Sequence, residues 1–208
     1  MNKTLSLTAL TISAAIAIAS TGGAVPAFAS TAVGKAAPDF ALADVNGKVV
    51  KLADFKGKHV VLEWSNPGCP FVQKHYDSNN MQSLQKKYDA KDTVWLTINS
   101  TNVSHQDYLS NEKLNGYITA KNAEPDAYMT DADGKVGRLF GAKTTPHMYV
   151  INPAGMVIYA GAIDDKPSAN KADVAGAKNY VVAALAESSA GKAVSVATTP
   201  AYGCSVKY

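Results

Sequence analysis

Two apolar runs constrain the fold of this chain more than any other feature. They are "HVVLEW" (His59–Trp64) and "TVWLTIN" (Thr93–Asn99). An apolar run of this length without alternation is typical of a strand covered on both faces. Between them, apolar side chains recur at helical spacing and "DSNN" interrupts the pattern, which predicts a kinked or split helix between Cys69 and about Ala90. The resulting β-α-β order predicts an α/β fold.

The flanking segments extend this order with further helices and two hairpins. "NG" at Asn46 between short apolar runs predicts an N-terminal β-hairpin, and "HMYVINPAGMVIYAG" predicts a terminal one. Helices are expected in "HQDYLSNEKLNGYITAKN", in a short segment ending at Gly141, and over residues 172–188 before Gly191. We therefore expect a central mixed β-sheet flanked by helices, in which the terminal hairpin adds antiparallel strands to a parallel centre.

The first residues carry the pattern of a secretory signal peptide. Lys3 precedes the apolar stretch "LSLTALTISAAIAIA", and the small-residue site "AFA" follows before Ser30. We expect residues 1–29 to be a signal peptide cleaved after Ala29, with a retained membrane anchor as the alternative, residues 30–190 to be one domain, and residues 191–208 a C-terminal tail. The protein would then be exported, to the periplasm or the extracellular space, with no membrane role after cleavage.

Charge and cysteine content narrow the function classes. The formal net charge of the 208-residue chain is +3, without the clustered Lys and Arg stripe that nucleic acid binding uses, so nucleic acid partners are not expected. The chain has two cysteines, Cys69 and Cys204. In an oxidising compartment two cysteines can pair, which favours redox chemistry.

Cys69 lies where the first buried strand ends and a helix begins, the edge of an α/β sheet at which ligands and chemistry collect. Pro70 fits the first helical position, which makes Cys69 the expected N-cap; a start at Asn66, with Pro67 first, is the alternative. In either case the unpaired amides of the first turn stabilise a thiolate, so a reactive nucleophile is favoured over an inert buried cysteine.

These segments resemble the thioredoxin-like superfamily, and within it the peroxiredoxin-like alkyl hydroperoxide reductase/thiol-specific antioxidant branch. The resemblance rests on "PDFALADVNGKVVKLADFKGKHVVLEW", "NPGCPFVQKHY", "TTPHMYVINPAG" and "YAGAIDD". It implies a thioredoxin-like fold and thiol-disulfide exchange or peroxide reduction without a cofactor, with a thiol, disulfide or hydroperoxide substrate and a thioredoxin-like electron donor. Cys69 matches the second cysteine of the C-x-x-C pattern, and Asn66 stands at the first.

The same resemblance implies further site residues. Pro146 in "TTPH" matches a cis-proline that faces the active cysteine, and the backbone of Thr145 would pair with an extended substrate. Asn66 also occupies the position of a peroxiredoxin threonine, and the branch's arginine is missing near Pro146, which weakens the case for efficient peroxide reduction. Trp64 is either a wall of the site or plain core.

Cys204 is the remaining thiol, in a tail expected to be mobile. It is either a resolving thiol for Cys69 or the partner in a structural disulfide, and both interpretations stay open. A competing function is a non-catalytic module that binds copper through Cys69, His147 and Cys204, or binds a partner protein. Lys74 and His75, on the first helix, are expected at the surface.

Overall fold

The computed structural model describes Met1, residues 31–89 and residues 93–208. The expected signal peptide, apart from Met1, lies outside the described residues. Within the described part of the chain, no helix has the length and apolar character needed to cross a membrane.

A five-stranded mixed sheet forms the centre of the molecule, in the order β5-β4-β3-β7-β8. Strands β3 (His59–Trp64), β4 (Thr93–Asn99) and β5 (Ala127–Thr130) are parallel, and β7 (His147–Ile151) and β8 (Val157–Gly161) add an antiparallel hairpin beside β3. The predicted α/β fold with a parallel centre and an antiparallel terminal hairpin is confirmed.

The N-terminal hairpin and most helices also agree with expectation. Strands β1 (Ala41–Ala43) and β2 (Val49–Lys51) pair antiparallel around a turn in which Gly47 has a φ of 83°. The split helix is observed as α1 (Pro70–Asp77) and α2 (Asn80–Asp89), separated where Asn79 adopts a φ of 58°.

Three further helices follow, and one of them begins later than predicted. They are α3 (Asn111–Ala120), α4 (Lys135–Phe140) and α5 (Tyr180–Ser189). The prediction of one helix from 172 is wrong, because Lys171–Gly176 is a 3₁₀ helix and Asn179 caps α5 by accepting a hydrogen bond from the amide of Val182.

Two apolar clusters lie on opposite faces of the central sheet, because successive side chains of β3 point to opposite faces. Leu62 and Trp64 lie in the cluster that contains residues of α4 and of the N-terminal hairpin, whereas Val61 lies in the cluster formed with α1, α2 and α5. Cys69 belongs to the second cluster, so the end of β3 and the start of α1 place its sulfur at the edge of a packed core.

Residues 191–208 run back across the domain, although we expected a mobile tail. The amide of Thr199 donates to the carbonyl of Ala160 on β8. Farther on, Cys204–Ser205 form β9, which pairs antiparallel with the two-residue strand β6 (Thr144–Thr145). At the end, the Tyr208 hydroxyl donates to the carbonyl of Ala142 and its ring lies 4.4 Å from the Arg138 guanidinium.

Candidate active site

Cys69 caps the first turn of α1. Its backbone is extended, with φ −83° and ψ 123°, and Pro70 occupies the first helical position. The N-cap prediction is therefore confirmed, and the alternative helix start at Asn66 is wrong. Asn66 instead shapes the preceding loop: its Oδ1 accepts from the amide of Gly68 at 2.7 Å and its Nδ2 donates to Thr101 Oγ1 at 3.0 Å.

The tail brings Cys204 to Cys69. In the β6-β9 ladder Cys204 lies directly opposite Thr145, whose carbonyl oxygen accepts from the Cys69 sulfur, and Cys204 packs against the apolar cluster that contains Cys69. Both residues are free cysteines in this structure. A pair separated by 135 positions in the sequence is thus in contact at the end of the helix.

The pKa values of the two cysteines are shifted in opposite directions. Burial raises the pKa of Cys69, but hydrogen bonds from Cys204, the Thr145 side chain and the Val72 backbone outweigh it, so this pKa lies below its ordinary value. Burial, the hydrogen bond to Cys69 and the negative charge on that sulfur raise the pKa of Cys204 to about 11. Of the two thiols, Cys69 therefore loses its proton at the lower pH, and Cys204 is the one that stays protonated longer.

Thr145 contributes two groups beside the sulfur. In the thiol form, Cys69 Sγ donates to the carbonyl oxygen of Thr145 at 3.0 Å. The Thr145 hydroxyl is buried and has no hydrogen-bond partner, yet it lowers the pKa of Cys69 because it can donate to the thiolate. The peptide bond between Thr145 and Pro146 is cis, as the resemblance implied.

Access to the two sulfurs differs. Cys69 is only 2% exposed, whereas Cys204 is half-buried. The cover over Cys69 includes the tail itself, because Cys204 contacts its sulfur and Tyr202 packs against Phe71 of α1 with ring centroids 5.9 Å apart. A change in the tail is therefore sufficient to change the exposure of Cys69.

Lys74 and His75 are buried, so their expected place at the surface is wrong. Lys74 Nζ lies 3.6 Å from Asp164 Oδ2 and donates to the carbonyl of Lys166 at 2.8 Å. His75 Nε2 lies 3.3 Å from the Tyr202 hydroxyl, which itself donates to Asp164 Oδ1. Helical periodicity missed these contacts because their partner, Asp164, follows β8 and lies far away in the sequence.

Two other predicted residues lie away from the sulfurs. Trp64 is fully buried, with its ring 5.4 Å from that of Phe140, and its Nε1 donates to Ser100 Oγ; the structure favours the core interpretation over a wall of the site. His147 Nδ1 accepts from the amide of Lys143 at 3.2 Å, and burial followed by the Lys143 charge lowers its pKa to about 4.

The described residues offer no metal centre. Among them, no group of three or more His, Cys, Asp or Glu side chains is arranged to hold a metal ion. The copper set that we considered, Cys69, His147 and Cys204, is therefore not assembled in this part of the chain.

Two curated proteins are similar to this chain in sequence. A thiol-disulfide oxidoreductase ResA of Bacillus thuringiensis subsp. konkukian is 27% identical over 128 residues, 61% of this chain and 67% of that protein. A Helicobacter pylori protein, whose name assigns it provisionally as the peroxiredoxin bcp, is 28% identical over 137 residues, 64% of this chain and 84% of that protein.

A solved structure and a family model extend the comparison. The crystal structure of an uncharacterized conserved protein from Geobacillus kaustophilus superposes with a TM-score of 0.75 at 28% identity, covering 85% of this chain and 92% of that one. The model of the AhpC/TSA family matches residues 33–160, more than half of the sequence. The thioredoxin-like fold is confirmed, and the chain belongs to the AhpC/TSA family.

Proposed function

We propose that the protein is an exported thiol-dependent oxidoreductase in which Cys69 is the nucleophile and Cys204 is the resolving thiol. The observation that carries the proposal is the placement of Cys204 by strand β9 beside Cys69, where it lowers the pKa of Cys69 while its own pKa is raised. The thiolate is the attacking species in disulfide exchange, and a neighbouring thiol completes the reaction.

The exchange proceeds in two balanced steps. The Cys69 thiolate attacks one sulfur of a substrate disulfide, the new S–S bond forms, and the other substrate sulfur leaves as a thiolate. Cys204, losing its proton, then attacks Cys69 Sγ, so the second substrate sulfur leaves and takes up a proton. Two electrons pass to the substrate and the Cys69–Cys204 disulfide remains.

A hydroperoxide can enter the same cycle. The Cys69 thiolate attacks the terminal oxygen, the O–O bond breaks, and Cys69 becomes a sulfenic acid while the alkoxide leaves and takes up a proton from water to give the alcohol. Condensation of the sulfenic acid with the Cys204 thiol then releases water and gives the same disulfide. The chain's one arginine, Arg138, contacts Tyr208 and the carbonyl of Asp133. Because this guanidinium already has these partners, it is not available to orient a peroxide at Cys69, and disulfide exchange is the favoured activity.

The two cysteines differ in exposure and in pKa, and these differences determine which sulfur of the disulfide an electron donor attacks. The sulfur of Cys204 is the more exposed of the two, so a thioredoxin-like electron donor attacks there. Cys69 is the better leaving group, because the thiol with the lower pKa leaves faster. The donor thus forms its transient mixed disulfide with Cys204.

Single-turnover kinetics test this function. Reduced protein is mixed with glutathione disulfide or with cumene hydroperoxide, and Cys69 is expected to react faster than free cysteine, with the disulfide the better oxidant. Cys204→Ser should accumulate the Cys69 mixed disulfide, and Cys69→Ser should abolish the fast reaction. If neither oxidant reacts with Cys69 faster than with free cysteine, the proposed activity is wrong.

Export is tested on the full chain expressed in a bacterium. The apolar stretch and the "AFA" site support cleavage after Ala29, so intact-mass measurement of the mature protein should give Ser30 as its first residue. Recovery of an uncleaved chain only would refute this part of the proposal.

A further inference from the structure

Tyr202 connects the two cysteine-bearing elements. It lies two residues before Cys204, and its ring packs against Phe71, which lies two residues after Cys69. Lys74 Nζ, one helical turn farther along α1, is 5.5 Å from the centroid of the same ring. The helix that begins at Cys69 thus also holds the segment that ends at Cys204.

The Tyr202 hydroxyl is part of a buried polar chain. It donates to Asp164 Oδ1, which also accepts from the amide of Lys166 at 2.9 Å. Asn80 Nδ2 donates to His75 Nδ1 at 2.9 Å, so the ring proton of His75 resides on Nε2 and points to the Tyr202 oxygen 3.3 Å away. Each group therefore donates to the next, from Asn80 through His75 and Tyr202 to Asp164.

Because this series of hydrogen bonds is buried, the loss of any one donor is costly. The side chains of Lys74 and Asp164 are 0% and 2% exposed, and a buried ion pair is tolerated when further hydrogen bonds satisfy its atoms. Asp164 Oδ2 faces Lys74 but makes no hydrogen bond, so the carboxylate depends on the two donors at Oδ1. Detaching the tail would remove one of them and leave a buried charge poorly paired.

We infer that Tyr202, held by Asp164, Lys74 and His75, is the positioning residue that keeps Cys204 against Cys69 and thereby sets the reduction potential of the pair. The inference rests on the proposed function, in which these two cysteines are a working couple. Tyr202 has no chemical step of its own in this proposal; it acts by holding the tail.

The physical argument is one of effective concentration. Oxidation of the two thiols releases two protons and two electrons, and the electrons reduce one molecule of glutathione disulfide to two of glutathione. A tail already docked in the reduced protein presents Cys204 at a high local concentration, which favours the intramolecular disulfide. If the tail detaches in the reduced protein, forming the disulfide must also order the tail, and the lost conformational entropy makes disulfide formation less favourable.

The experiment is a redox titration of the full folded protein in glutathione buffers, with the Cys69–Cys204 disulfide quantified by mass spectrometry. Tyr202→Phe keeps the ring on Phe71 and removes only the hydroxyl, and Tyr202→Ala removes both contacts. Tyr149→Phe is the matched control, because the Tyr149 hydroxyl donates to the carbonyl of Phe140 in the core and contacts no tail residue in the described hydrogen bonds.

We expect the equilibrium constant for the disulfide to fall about tenfold in Tyr202→Phe, equivalent to about 30 mV toward a more oxidising potential. The constant should fall further in Tyr202→Ala, and in Tyr149→Phe it should stay within about twofold of its value in the unmodified protein. A merely structural role would destabilise the oxidised and reduced forms equally and leave this constant unmoved.

Two results would overturn the inference in different ways. If folded Tyr202→Phe and Tyr202→Ala both keep the constant within about twofold of the unmodified protein, Tyr202 does not position Cys204. If the unmodified protein forms no Cys69–Cys204 disulfide in any glutathione buffer, the proposed couple itself is wrong and the positioning role falls with it.

Discussion

The substitution Thr145→Val is expected to change the pKa of Cys69 without destabilising the fold. The Thr145 side chain is 3% exposed and its hydroxyl has no hydrogen-bond partner in the thiol form. Valine has nearly the same shape, so the substitution leaves the packing intact while removing the donor available to the thiolate. The carbonyl of residue 145, which accepts from the Cys69 thiol, is unchanged.

The substitution is expected to disfavour the Cys69 thiolate while leaving the folded state as stable as before or slightly more stable. A hydrogen bond to a charged group contributes about 1.5–3 kcal/mol, and one pKa unit corresponds to about 1.36 kcal/mol. Because the hydrogen bonds from Cys204 remain and are the larger stabilising contribution, we expect the pKa of Cys69 to rise by about one unit. The free energy of unfolding should stay constant or increase by about 1 kcal/mol, since an unpaired buried hydroxyl is removed.

The pH dependence of alkylation measures the first property. Reduced protein is treated with iodoacetamide across a pH series, and peptide mass spectrometry assigns the modified cysteine; the raised pKa of Cys204, about 11, keeps its inflection apart. Thr144→Val is the matched control, because the Thr144 hydroxyl donates to the carbonyl of Pro146 at 3.0 Å. An unchanged Cys69 inflection in Thr145→Val, or an equal shift in Thr144→Val, would refute the reasoning.

Two further perturbations follow from the same contacts. Gly203→Ala should undock the tail and speed alkylation of Cys69, because a Cβ on Gly203 would lie 2.0 Å from the carbonyl oxygen of Thr145; Gly155→Ala, also at positive φ but with no atom within 4 Å, is the control and should not change the rate. Acid should destabilise the fold, because burial lowers the pKa values of His75 and His147 from 6.5 to about 4. Between these values the unfolded chain binds more protons, so urea unfolding at about pH 5 should show a loss of about 2 kcal/mol per histidine relative to pH 7, and a flat profile would contradict this.

Local patterns predicted the architecture and the position of Cys69 at the start of a helix. The two apolar runs correspond to β3 and β4, and Pro70 correctly indicated that α1 begins at Pro70 with Cys69 as its cap. These features are local because strand burial and helix capping depend on a few adjacent residues. Strand β5 was not predicted, since its four residues, Ala127–Thr130, are too short for a period to be recognised.

The environment of Cys69 could not be predicted in the same way. The amides of α1 were expected to be the main stabilisers of the Cys69 thiolate, but hydrogen bonds from Cys204 are the larger contribution. The buried state of Lys74 likewise depends on Asp164, 90 positions away. Both are long-range contacts made by a tail and a loop, and no periodicity in the sequence encodes which distant residue will supply a partner.

The contacts around Cys69 act on the reduction potential in opposite directions. Groups that stabilise the Cys69 thiolate, such as the Thr145 hydroxyl, favour the reduced form and make the pair more oxidising. Contacts that dock the tail, such as the Tyr202 hydroxyl, favour the disulfide and make the pair more reducing. Thr145→Val and Tyr202→Phe should therefore shift the potential in opposite senses, and in the double variant the shifts should largely cancel. Shifts of the same sign in both variants would show that the two effects are not separate.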